Sequence, residues 1–177
     1  MKIISLCFVA VILAACTTTP VKRNRDLSVA AIDAVKINDD SERVKSELGA
    51  PSEVRSSKRS PEVEVWIYDD ANGSERAAID IDSASKKVIG ITILPGEQEP
   101  EFKLNYLLKS KYSQIAFMTV PKQVCGRDYI PPQVFHIDTK TGVVIQANEN
   151  TGEVESFGRL APTSAAVLIE KIRSCQR

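Results

Sequence analysis

The chain has 177 residues, of which 43% are hydrophobic, 26% are charged and 6% are aromatic. This composition is typical of a globular protein with one or two small domains and excludes a disordered or collagen-like chain. Basic and acidic residues number 23 each, so no net charge attracts the chain to nucleic acid or to an anionic membrane surface. The single histidine, His136, excludes most metal and acid–base sites, which need two or more imidazoles.

The N-terminus has the pattern of a secretory signal peptide. After Met1-Lys2, an almost wholly apolar run extends from Ile3 to Ala15, which is shorter than the roughly 20 residues that a membrane-spanning helix needs. The run ends in Leu13-Ala14-Ala15-Cys16, which resembles the lipobox of bacterial lipoproteins. The resemblance implies cleavage between Ala15 and Cys16 and acylation of the Cys16 thiol. The alternative is a plain signal peptide that is cut near Ala15, with Cys16 incidental.

A lipidated Cys16 would anchor the mature chain to a membrane, because two or more acyl chains bind stably whereas one binds marginally. Thr17 follows Cys16, whereas lipoproteins that are retained in the inner membrane tend to have Asp there. The sorting rule of these lipoproteins therefore implies an outer-membrane location facing the periplasm. We expect residues 1–15 to be a signal peptide and residues 16–26 to be a lipidated cysteine with a flexible polar tether.

Two further cysteines, Cys125 and Cys175, remain after Cys7 leaves with the signal peptide and Cys16 is consumed by lipid. In an oxidising compartment they allow one pairing, which would close a loop of about 50 residues and stabilise the fold by about 4 kcal/mol in the chain-entropy model. Such a disulfide would attach the C-terminal helix to the sheet. The alternative is a reactive thiol, but the sequence has no C-x-x-C motif and no histidine near either cysteine.

The first half of the folded part, residues 27–96, has the pattern of helices followed by a β-meander. Apolar spacing predicts a helix over 27–37, and a capping box at Asp39–Glu42 with Gly49 and Pro51 predicts a second short helix. A polar loop is expected over 52–61. Strands are predicted over 63–68, 76–82 and 88–94, and an Asn-Gly turn joins the first two.

The second half, residues 97–177, has a similar pattern. A helix is predicted over 102–112, a strand over 115–120 that stops at Pro121, and a last helix over 163–173. Strands at 134–138, 143–147 and 153–157 are separated by two turns that end in Thr-Gly. The predicted fold is therefore α+β, with antiparallel β-meanders, short helices packed on one face, and the second unit packed on the first.

Several motifs in the first half occur in an order that resembles the SmpA/OmlA family, the small lipoprotein of the outer-membrane β-barrel assembly machine, and its β-lactamase-inhibitor-like fold. The most specific part is Leu48-Gly49-Ala50-Pro51 followed by Trp66-x-Tyr68, and a strand that ends in Ile79-Asp80-Ile81-Asp82 comes after it. The resemblance covers about a third of the chain and departs from the family at Asp39, where glycine is usual. Inhibitor-like proteins contain two tandem units, an arrangement that the second half of this chain also allows.

Each candidate catalytic or metal-binding pattern has a structural explanation. His136 lies in a predicted strand without a Gly-x-Ser-x-Gly elbow elsewhere, so we expect it to be an exposed strand residue. Residues 69–73 would put non-ligating side chains at the calcium positions of an EF-hand loop and are expected to form a turn. Asp80 and Asp82 alternate with isoleucines and indicate a solvated face, and the basic loop at 55–59 is also expected to be solvated.

The sequence therefore predicts a non-enzymatic, periplasm-facing outer-membrane lipoprotein that binds another envelope protein, with a role in outer-membrane protein assembly or envelope integrity. It predicts no cofactor, no metal, no nucleic acid and no small-molecule substrate. The alternative is an inhibitor-like module that occludes a periplasmic or extracellular hydrolase through loops such as residues 52–61. An enzyme that uses His136 is a third interpretation. The family resemblance is an analogy of fold, and residue type alone does not identify an interface.

Overall fold

The fold is α+β, an eight-stranded antiparallel sheet with a few short helices. The computed structural model describes residues 27–57, 60–95, 103–122 and 132–174. The helices are α1 (Val29–Ala34), α2 (Ser41–Leu48), α3 (Leu104–Tyr106), which continues as a π-helical turn (Leu107–Lys111), and α4 (Pro162–Ser174). The strands are β1 (Glu53–Ser56), β2 (Val63–Asp69), β3 (Glu75–Asp82), β4 (Val88–Ile93), β5 (Met118–Lys122), β6 (Gln133–Ile137), β7 (Val143–Asn148) and β8 (Val154–Leu160).

The two meanders join through their last strands, so that the sheet has the order β1-β2-β3-β4-β8-β7-β6-β5. At this junction β4 runs antiparallel to β8, with Thr92 opposite Gly158 and Ile93 opposite Phe157. Among the described residues, β1 and β5 are the two edges of the sheet. Both halves of the chain therefore contribute to one continuous set of backbone hydrogen bonds.

The front face of the sheet carries the larger core. Alternation along the strands places Trp66, Ile79 and Phe157 on this face. The residues that cover it come from α1 and its C-cap, from α2 and from the π-helical turn, and they are fully or almost fully buried: Ile32, Val35, Val44, Leu48 and Leu107. This core spans both halves of the chain.

The back face is covered by α4 in the second half. Ala165, Ile169 and Ile172 of this helix pack against Val120 of β5 and against Phe135 and Ile137 of β6. The prediction that the helices pack on one face is therefore wrong. The reason is that the strands of the second half carry apolar side chains on both faces, and each face needs cover.

Helix α2 matches its predicted position, but its cap differs from the prediction. Asp40 is the N-cap residue, and its carboxylate accepts a hydrogen bond from the Arg43 backbone N–H at 2.8 Å. A capping box requires Glu or Gln at the position of Arg43, so Glu42 lies one residue too early to complete it. The helix ends at Gly49, whose φ of 85° requires glycine.

Three further boundaries differ from the predictions. The predicted loop 52–61 contains β1, which pairs with β2. The predicted helix 102–112 is a short α-helix followed by a π-helical turn, in which the Tyr112 N–H donates to the Leu107 carbonyl. Strand β5 begins at Met118 and continues through Pro121, because an edge strand tolerates a residue that lacks an N–H.

The two halves share one local hydrogen-bonding pattern. Asp40, just before α2, bridges to Lys87, and Lys103, just before α3, bridges to Glu153. In the first half the Ser41 N–H donates to the carbonyl of Lys86, and in the second half the Leu104 N–H donates to the carbonyl of Gly152. Each acceptor directly precedes the residue of the turn that forms the bridge. Those preceding residues, Lys86 and Gly152, both have positive φ. Each strand that leads into these turns also contains a bulge, after Asp80 and after Gln146.

We predict that Gly158→Ala destabilises the junction of the two halves more than Gly90→Ala does. A Cβ at Gly158 would lie 1.8 Å from the backbone oxygen of Ile91, whereas the nearest atom to a Cβ at Gly90 is a carboxylate oxygen of Asp80, at 2.6 Å, which can rotate away. Overpacking of this kind costs about 1–3 kcal/mol. Urea denaturation of both variants measures the difference, and equal losses would contradict this account.

Candidate functional site

The residues predicted for processing and cross-linking lie outside the described part of the chain. These are Ala15 and Cys16 at the predicted cleavage and lipidation site, and Cys125 and Cys175 of the predicted disulfide. Their roles therefore stay predictions. Among the described residues, no helix is both long and apolar enough to cross a membrane.

His136 lies on the front face of β6 and is partly buried, not exposed as predicted. Its Nδ1 is 3.1 Å from the Thr119 hydroxyl on β5, and its ring meets the edge of Phe117 at 6.3 Å between centroids. Its Nε2 is buried and has no hydrogen-bond partner within the described structure. Burial lowers the pKa of His136 below its ordinary value of 6.5 because the charged imidazolium is poorly solvated there.

The two aspartates of β3 have different environments. Asp82 accepts hydrogen bonds from the backbone N–H and the hydroxyl of Ser85, at 2.7 and 2.6 Å, which hold the turn and lower the pKa of Asp82. Asp80 lies on the back face beside Gly90, and burial raises the pKa of its carboxyl. The prediction of a solvated pair is therefore wrong for Asp80.

The remaining acidic pattern is structural, as predicted. Asp70 Oδ1 accepts from the backbone N–H groups of Asn72 and Ser74, at 2.8 and 2.9 Å, and so forms a turn. Within the described ranges, no group of three or more histidine, cysteine, aspartate or glutamate residues is arranged to hold a metal ion. The predicted basic loop is only partly described, and Arg55 in it pairs with Glu53 at 2.7 Å.

A groove lies on the back face, beside α4 and above the junction of β4 with β8. We call it the α4 groove, and it has a volume of about 260 Å³. Gly158 and Thr92, which pair across the junction, form its floor. Its walls include three half-buried apolar residues, Val144, Leu160 and Leu168.

A polar network borders one end of this groove. The Glu155 carboxylate accepts hydrogen bonds from the side-chain amides of Gln133 and Gln146, each at 2.6 Å, and Gln146 also donates to the Gln133 carbonyl oxygen at 2.8 Å. Gln146 lines the groove, so the network fixes the orientation of that wall. Of the polar side chains that line the groove, the network engages Gln146, while Thr92 and Ser156 also line it beside the apolar residues.

Sequence reasoning did not find the α4 groove, although two signals for it exist. Gly158 lies inside a strand, which often marks a place where another backbone or a ligand approaches closely. Leu168 lies on the predicted apolar face of α4 but at the margin of that face, and so it remains half-buried. Neither signal says that the two residues line one groove, because the groove depends on the β4–β8 pairing.

Comparison with protein-family models found no matching family, and comparison with characterised proteins and with solved structures found no match.

We predict that the stability of the protein falls between pH 7.5 and pH 5.5 in a manner that depends on His136. The folded-state pKa of His136 lies below the unfolded value near 6.5, so its contribution is complete above pH 6.5 and is lost as the pH falls below it. In His136→Gln the same acidification should cost less stability. Urea denaturation at both pH values measures this, and equal losses in the two proteins would refute the assignment.

Proposed function

We propose that this protein is a non-enzymatic outer-membrane lipoprotein that faces the periplasm and binds another envelope protein through the α4 groove. The groove is the observation that carries this proposal. It combines an apolar wall, a glycine floor and an opening beside a surface helix. Such a pocket suits an anchoring side chain, and a few buried anchors supply most of the binding energy of a protein interface.

The size and chemistry of the groove favour a protein partner over a metabolite. Its volume of about 260 Å³ is below the roughly 300–1,000 Å³ typical of small-molecule sites. The amide nitrogen of Gln146, one of the polar side-chain groups in its wall, already donates to Glu155 and Gln133. The occupant that fits is one large apolar side chain, such as leucine or phenylalanine, projecting from the surface of another protein.

The sequence supports the location. The lipobox-like Leu13-Ala14-Ala15-Cys16 supports a lipid anchor on Cys16, and Thr17 supports the outer membrane. At about 3.3–3.6 Å per extended residue, the tether of residues 16–26 would hold Leu27 within about 40 Å of the membrane. The domain would therefore meet partners in or near the inner surface of that membrane.

The shared hydrogen-bonding pattern supports two tandem inhibitor-like units. The bridge of Asp40 with Lys87 in the first half corresponds to the bridge of Lys103 with Glu153 in the second half. Thr92 lies five residues after Lys87, and Gly158 lies five residues after Glu153, so Thr92 and Gly158 correspond as well. These two residues pair with each other in β4 and β8. An approximate two-fold axis would therefore pass through this pair, at the floor of the α4 groove, and would relate the two units.

The resemblance to the SmpA/OmlA family supports a role in outer-membrane protein assembly or envelope integrity. The alternative of a hydrolase inhibitor acting through residues 52–61 has less support, because residues 53–56 of that segment pair with β2 as a strand. The identity of the captured partner distinguishes the two roles.

We predict that a photo-reactive amino acid at Leu168 cross-links the protein to an envelope partner in intact cells, whereas the same amino acid at Val167 does not. Both residues lie on α4, but Leu168 lines the groove and Val167 is 47% exposed outside it. Mass spectrometry of the adducts identifies the partner. A barrel-assembly component supports the assembly role, and a hydrolase supports the inhibitor role.

A charge substitution provides the matched functional test. The photo-reactive amino acid is placed at a second groove position, Ser156, and Leu168→Lys is added to the same chain. The yield of the cross-link should then fall at least tenfold, because a buried charge opposes an apolar anchor. Val167→Lys should leave it unchanged. Thermal melting of both variants excludes unfolding as the cause. Equal adduct yields at Leu168 and Val167, or no protein adduct at either, would overturn the use of the groove.

A further inference from the structure

Strand β1 is an exposed edge of the sheet. All four of its residues are exposed, and no described strand pairs with its outer side. Val54, on the front face opposite Trp66, is 53% exposed and is the most exposed large hydrophobic residue of the described chain. The other edge, β5, contains Pro121, whose missing N–H makes that strand a poorer template for pairing.

The register of β1 shows which backbone groups point outward. The Ser57 N–H donates to the Val63 carbonyl at 2.9 Å, so Ser57 and Val63 form a hydrogen-bonded pair. Hydrogen-bonded and non-hydrogen-bonded pairs alternate along antiparallel strands, so Arg55 also bonds to β2 while Val54 and Ser56 do not. The N–H and C=O groups of Val54 and Ser56 therefore point away from the sheet and can pair with a further strand.

The charges of β1 are self-complementary in one antiparallel register. Glu53 and Arg55 lie on the back face on either side of Val54 and form an ion pair at 2.7 Å. When two copies of β1 pair antiparallel with Val54 opposite Val54, the Glu53 of each copy lies opposite the Arg55 of the other. Opposite charges in such cross-strand positions are stabilising, and like charges are destabilising.

We propose that a second copy of this chain pairs with β1 in this register, so that two eight-stranded sheets continue into one. The two Val54 residues exchange two backbone hydrogen bonds, and their side chains cover each other beside Trp66. The four charges form an alternating cluster on the back face. A shift of the partner strand by two residues would place Arg55 opposite Arg55, so charge selects the register centred on Val54.

This contact goes beyond the proposed function because it uses a different surface. The α4 groove lies at the β4–β8 junction, three strands away from the outer edge of β1. The contact is small, so we expect a weak dimer in dilute solution that membrane anchoring strengthens by raising the local concentration.

Cysteine cross-linking of the full-length chain in intact cells tests the register. Val54→Cys should give a disulfide-linked dimer under mild oxidation, because directly opposed residues lie about 5.5 Å apart at Cα, within the range for a disulfide. Ser56→Cys should give at least tenfold less dimer, because it does not lie opposite its own copy. The unsubstituted chain and Val167→Cys, an exposed site on α4, are the controls.

Charge substitution tests the partner. Glu53→Arg alone and Arg55→Glu alone, each in the Val54→Cys background, should lower the dimer yield about tenfold, because each places like charges opposite one another. Co-expression of the two differently tagged variants should restore a mixed dimer, although neither variant retains the Glu53–Arg55 ion pair within its own chain. A merely structural role of that ion pair would give no such rescue.

The outcomes separate this proposal from the groove. A Val54→Cys dimer with charge rescue supports strand pairing between two copies. Equal dimer yields at Val54 and Ser56, or no rescue on mixing, would overturn it. An adduct of β1 with a different protein would also overturn it and would make the edge a site for another partner. In each case the cross-link from Leu168 tests the proposed function independently.

Discussion

The pairing of β4 with β8 is the interaction on which the rest of the structure depends. It joins two meanders, each of which would otherwise expose a long edge, into one sheet with a shared front core. The pairing demands that backbones approach closely at Gly158, where any side chain would collide with the Ile91 carbonyl. The same glycine lines the floor of the α4 groove. The β4–β8 pairing thus positions both the shared front core and the α4 groove.

The covering of the two faces follows from this junction. The helical segments that precede each meander lie on the front face, and the ion pair between Lys111 and Asp33 connects the segments of the two halves. The back face is different, because α4 covers only the second half. One side of α4 lies beside the β4–β8 junction, where Leu160 and Leu168 are half-buried. A partner side chain in this position would complete a core that α4 leaves unfinished.

Much of the secondary structure could be predicted because local chemistry determines it. The Asn72-Gly73 turn and the two Thr-Gly turns are each specified by glycine with positive φ, and the observed strands follow from them. The π-helical turn could not be predicted, because Leu104, Leu107 and Leu108 have the apolar spacing of an ordinary α-helix. The back-face position of α4 does have a sequence signal, because consecutive apolar residues Val134 and Phe135 indicate a strand that is buried on both sides.

The candidate site was the least predictable part, because it arises from contacts distant in sequence. Gly158 and Leu168 line one groove only because of the sheet order, and the pKa of half-buried Asp80 is raised whereas that of Asp82 is lowered, although the two alternate alike. The proposed binding of an envelope protein requires the chain to be anchored at the outer membrane, and the intact mass of the protein isolated from cell envelopes tests this most directly. We predict a chain that begins at Cys16 and carries the added mass of a lipid anchor. A chain that begins elsewhere, or an unmodified Cys16, would contradict the account.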